Sequence, residues 1–144
     1  SAPRKNHEGP GTLRSFGVRR FREAPLVYRE FMKNLPLLHY EEEYILVHAG
    51  LDFSHPRPLE ESNQMMYLRQ WQHQIRPEVL AGRVILYGHT PNMRDNMLRQ
   101  LARLNDNLHL CLDNGCFLNH QMGFGGLVAF DMDRRELVFH GNVD

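Results

Sequence analysis

Tyr44-Ile45-Leu46-Val47-His48-Ala49-Gly50 is the stretch on which the fold turns. Four β-prone residues in a row, ended by a polar residue, read as a short buried strand. Ala49-Gly50 lets backbone or a ligand approach closely at its end. His48 then stands at the carboxyl end of that strand. Val84-Ile85-Leu86-Tyr87-Gly88-His89-Thr90-Pro91 repeats the arrangement: an apolar run, a small residue, then histidine. Open α/β sheets bind ligands outside the carboxyl ends of their strands, so the two runs bring one histidine each to a common rim.

Working outward, residues 25–34 space Leu26, Val27, Phe31 and Met32 as an amphipathic helix, with Pro25 at its first turn and Pro36 as its stop. Glu41-Glu42-Glu43 reads as a solvated turn leading into the His48 strand. Residues 52–58 carry two prolines and read as loop. Residues 60–74 approach helical spacing through Met65, Met66, Leu68 and Trp71, which are expected in the core. Residues 77–80 make a further short helical turn. Beyond the His89 strand, residues 97–104 read as a short helix and 108–112 as a strand that ends in the turn signal Asp113-Asn114-Gly115. Residues 127–130 and 136–140 read as an antiparallel hairpin that finishes the sheet edge. Residues 1–17, with Gly9-Pro10-Gly11, read as loop or arm, and 18–144 as the folded part. The order of elements predicts an α/β domain.

A chain of 144 residues buries enough surface for one core without disulfides. Its 42% hydrophobic content excludes intrinsic disorder. Seventeen basic residues balance seventeen acidic ones, so no overall field recruits nucleic acid or an anionic membrane. Cys111 and Cys116 are too few for a disulfide framework, and reduced thiols in a cytoplasmic protein are the expectation. No apolar stretch reaches the ~20 residues of a membrane span.

Three polar loci follow strand ends: His48, His89 and Asp113. Imidazole and carboxylate are ligands of divalent transition metals, and a strand end next to glycine holds a ring while leaving room for ion and substrate. The histidines are too far apart in sequence for a short-range ligand motif. The remaining histidines, apart from His7, read as structural or surface residues.

Val47-His48-Ala49-Gly50, Met66-Tyr67-Leu68-Arg69, Gly88-His89-Thr90-Pro91, Leu112-Asp113-Asn114-Gly115-Cys116 and Gly125-Gly126-Leu127, in that order, resemble the C-terminal half of the calcineurin-like metallophosphoesterases. The nearest likeness is to bacterial serine/threonine protein phosphatases and symmetrical diadenosine-tetraphosphatases. Gly11-Thr12-Leu13-Arg14-Ser15-Phe16-Gly17 is similar to the family's connecting segment. The resemblance implies a mixed β-sandwich with flanking helices and a dinuclear site of divalent Mn, Fe or Zn. His48 and His89 would be ligands of its second metal. Arg69 would bind the substrate phosphate, a role that suits its planar fork; without the family it reads as a surface arginine on a helix. Asp113 is expected to fix the loop near His89 rather than to ligate.

The family's Asp-x-His and Gly-Asp-x-x-Asp-Arg-Gly motifs are absent from this sequence, and of its Gly-Asn-His-Glu only Asn6-His7-Glu8 remains, with Lys5 in the place of glycine. Carried over, Asn6 would be a metal ligand and His7 the acid that protonates the leaving oxygen. The implied substrate is a phosphoprotein or a small phosphoester, hydrolysed by two-metal chemistry. The alternatives are a dinucleotide-polyphosphate hydrolase and a non-catalytic domain that binds a phosphorylated ligand or partner. With half the motifs, the chain is expected to bind at most one metal weakly, to turn over negligibly, and to self-associate through an unpaired sheet edge.

Overall fold

The computed structural model describes residues 10–143, which form two units dividing between Pro36 and Leu37. In the first unit, α1 (Pro10–Ser15) occupies part of the stretch expected to be loop. Proline is tolerated in a first helical turn, whose N–H groups have no partner inside the helix, so Pro10 starts a helix rather than forbidding one. A single 3-10 turn (Phe21–Glu23) leads to α2 (Leu26–Lys33), within the range its periodicity predicted. The backbone N–H of Asn34 closes α2 onto the carbonyls of Glu30 and Phe31. The rings of Phe16 and Tyr28 meet at 5.0 Å.

The second unit holds a four-stranded sheet: β1 (Leu38–Glu41), β2 (Tyr44–Val47), β3 (Val84–Tyr87) and β4 (His109–Cys111), in that spatial order. β1 pairs antiparallel with β2, while β2, β3 and β4 run parallel. β1 is absent from the sequence reading: Leu38-His39-Tyr40-Glu41 is only four residues long, and Leu38 is the one residue of it that is buried. What makes it a strand is a tight connection: Glu42 takes φ +44° and the Glu42-Glu43 turn folds β1 back on β2. The acidic triplet thus gives its first residue to the strand and its other two to the turn.

Alternation along the strands divides the core in two, as pleating requires. Ile45, Val47, Ile85, Tyr87 and Cys111 face a layer supplied by residues 51–80, where Leu51, Phe53, Met65, Trp71 and Leu80 are buried. Met65 and Trp71 are therefore core, as expected. The segment is not the helix predicted over 60–74. It forms two short 3-10 turns, Asn63–Met66 and Gln72–Gln74, separated where Gln70 enters the left-handed region at φ +57°. α3 (Pro77–Leu80) follows and leads into β3. Tyr44, Val84, Leu86 and Leu110 form the opposite face. β3, with a parallel neighbour on each side, is buried along its whole length.

That opposite face is covered by α4 (Arg94–Ala102), α5 (Leu104–Asn107) and the hairpin of β5 (Gly126–Asp131) and β6 (Glu136–Gly141). The hairpin does not extend the sheet edge, as the sequence reading had it. It is a separate two-stranded sheet, tied to the end of β4 by one bridge between Asn114 and Gly126. Gly123 and Gly125 hold φ of +83° and +90° just before it, which turns the chain out of the first sheet. Phe130 sets its ring edge-on to Tyr44 at 5.7 Å, and the Tyr44 hydroxyl donates to the Met132 carbonyl at 3.1 Å. The architecture is mixed α/β. Among the described residues no helix is long and apolar enough to cross a membrane.

Candidate functional site

His48 follows β2 by one residue and His89 follows β3 by two. The parallel register pairs Leu46 with Leu86, and the Gly88 N–H donates to the His48 carbonyl at 2.8 Å, so the strand ends stay side by side. His89 then takes φ +68°, a left-handed conformation that a histidine adopts at a cost of about 1 kcal/mol or more. The turn swings its ring back toward its neighbour. His48 Nε2 and His89 Nδ1 stand 3.2 Å apart, with ring centroids at 5.0 Å. Two residues separated by 41 positions share one point on the rim, as the repeated strand ends predicted.

The surroundings favour the neutral form of His89. Partial burial, the Arg69 guanidinium and His48 all lower its pKa, and only Asp113 opposes them. A neutral ring keeps a lone pair on one nitrogen, the form that binds a metal. Two nitrogens about 2.0–2.1 Å from a single tetrahedral ion lie about 3.4 Å apart. The 3.2 Å between these two is close to that edge. The pair fits two positions of an ion's donor set, although among the described residues no group of three His, Cys, Asp or Glu gathers. Asn6 and His7, the other two predicted site residues, lie outside the described residues.

Arg69 is exposed and lies beyond the Asn63–Met66 turn, not on a helix. Its Nη1 donates to Thr90 Oγ1 at 3.0 Å, which sets the guanidinium beside the residue that follows His89. Behind it, Trp71 anchors the segment: its Nε1 donates to the Ala49 carbonyl at 2.9 Å, and the Ala49 N–H donates to the Met65 carbonyl at 2.8 Å. Gly50 is required here, because a Cβ on it would run into the Trp71 indole. Small residues after His48 thus serve the close approach of an indole.

Asp113 is structural in its contacts. Its Oδ1 accepts the Gly115 N–H at 2.8 Å and its carbonyl accepts the Asn92 N–H at 2.8 Å, tying the end of β4 to the loop after His89. Asn114, read from sequence only as part of a turn, does more. Its Nδ2 donates to the carbonyls of Asn92 and Gly123 at 2.9 and 2.8 Å, and its Oδ1 accepts the Gly126 N–H at 2.9 Å. Thr90 was also missed as a partner for Arg69, although it lies inside the quoted Gly88-His89-Thr90-Pro91 run. Tyr67, edge-on to His89 at 6.5 Å, gave no signal beyond its place before Arg69.

No family model, no curated protein and no solved structure matches this chain. What the site does has to be read from its own geometry.

Proposed function

We propose that this chain carries part of a metal-dependent phosphoesterase site of the calcineurin-like kind, with phosphate monoesters, a phosphoprotein or a small phosphoester, as the substrate class. The observation that carries the reading is the convergence of two imidazole nitrogens, 3.2 Å apart, beside a guanidinium oriented by Thr90. His48 and His89 would hold a divalent Mn, Fe or Zn ion. When bound, such an ion supplies Lewis-acid chemistry at phosphate oxygens.

The chain's own residues have separate tasks. Arg69 offers parallel N–H donors that meet two phosphate oxygens, and its bond to Thr90 restricts it before substrate arrives. The Arg69 charge also disfavours protonation of His89, so phosphate recognition and metal affinity are electrostatically linked. Asp113 and the buried Asn114 hold the loop that presents His89.

A second reading has its own support: with only two donors gathered among the described residues, the domain could bind a phosphorylated ligand without turnover. Zinc or manganese titration of the chain, followed by calorimetry, tests the shared premise. Wild type should bind one ion weakly, and His48→Ala and His89→Ala should each lower that affinity at least tenfold. Unchanged metal affinity in both variants refutes the site. Hydrolysis of p-nitrophenyl phosphate in manganese separates turnover from binding, and Arg69→Lys should weaken phosphate affinity while metal affinity persists.

A further inference from the structure

A cleft of 320 Å³ opens behind Arg69 and Thr90, between the 68–72 segment, the ends of β3 and β4, and α4. Carboxamides are the commonest polar groups of its lining, beside Thr90, Tyr87 and His109. Five carboxamides line it: Gln70, Gln72, Asn92, Asn96 and Gln100. Arg69 is its cation, and among the described residues the lining holds no carboxylate.

Four of the five amides are tied in place by one another and by the fold. Gln72 Nε2 donates to the Tyr87 hydroxyl at 3.0 Å, and Asn96 Nδ2 donates to Asn92 Oδ1 at 2.7 Å. Gln100 Oε1 accepts the Cys111 N–H at 3.0 Å. Each carboxamide has two N–H groups and two lone pairs, so these anchors leave further donors and acceptors on rigidly held groups.

The lining discriminates among neutral partners. A nucleobase needs an open aromatic face to stack on, but Trp71 is 2% exposed and Tyr87 6%, their rings packed on each other at 4.9 Å. A peptide group presents its donor and acceptor on opposite sides, so one carboxamide cannot engage both. Vicinal hydroxyls present donor and acceptor side by side, as a carboxamide does. We infer that the cleft holds the polyhydroxylated part of a phosphorylated sugar or polyol, with the phosphate at Arg69. This rests on the phosphate role proposed for Arg69 and narrows the substrate to a small phosphoester rather than a phosphoprotein.

Trp71, the chain's single tryptophan, lines the cleft and reports its occupancy by fluorescence. In manganese buffer, glucose 6-phosphate should bind at least tenfold tighter than inorganic phosphate, with O-phosphoserine and 2′,3′-dideoxyadenosine 5′-monophosphate, which lack vicinal hydroxyls, near the inorganic value. Asn96→Leu and, independently, the exposed Gln70→Ala should each reduce the sugar advantage and leave inorganic phosphate affinity unchanged. Equal affinity for glucose 6-phosphate and inorganic phosphate overturns the inference while the phosphate site stands. Phosphoserine or the nucleotide binding as tightly as the sugar phosphate overturns it as well, and silence toward every phosphate overturns both readings.

Discussion

Replacing Asn114 with alanine probes how the rim is held. Asn114 is 4% exposed, and its side chain makes three hydrogen bonds, to the carbonyls of Asn92 and Gly123 and from the N–H of Gly126. Alanine leaves two carbonyls and one N–H without those partners in part-buried surroundings. At about 1 kcal/mol for each lost bond the expected cost is about 3 kcal/mol, roughly a hundredfold in the ratio of folded to unfolded chain. Asn114→Asp keeps the acceptor for Gly126 but turns an oxygen toward two carbonyls, so it should lose at least as much at neutral pH. Urea denaturation followed by Trp71 fluorescence measures both, since Trp71 lies in the same unit. A loss below about 1 kcal/mol in each variant would refute the claim that this amide joins the loops.

Two further outcomes follow from the core. Gly50→Ala should destabilise by about 1–3 kcal/mol or more, because the new methyl meets the Trp71 indole, and thermal melting should register it. Burial lowers the pKa of His109, so below its ordinary value of 6.5 the unfolded chain binds a proton that the folded chain refuses. Stability should therefore fall as pH drops through 6.5 toward the folded value, by at most about 1.4 kcal/mol per pH unit from this residue, and His109→Leu should flatten that slope in urea melts at pH 5 to 8.

The central strands were legible in the sequence because their burial is local: runs such as Val84-Ile85-Leu86-Tyr87 have no polar face to disguise them. The meeting of His48 and His89 was legible for the same reason, since two similar strand ends in one parallel sheet lie side by side. β1 was not, because its pairing comes from a two-residue turn and a neighbour rather than from its own apolar pattern. The 60–74 segment misled because core contacts by Met65 and Trp71 mimic helical spacing while the backbone turns at Gln70. Asn114 and the amide cleft were invisible, since a carboxamide's role depends on carbonyls brought from distant loops.

The contact between His48 and His89 also works as a gauge of strand alignment. Their 3.2 Å separation is about the rise of one residue along a strand, about 3.3 Å. If β2 slid past β3 by a single step, the two nitrogens would part by as much as the contact itself. The rim therefore has only two settings, aligned or lost, with no useful intermediate. A one-residue slip would also turn every side chain of the strand to the other face, so the rim exists only in the register that sets Tyr44 opposite Val84 and Leu46 opposite Leu86.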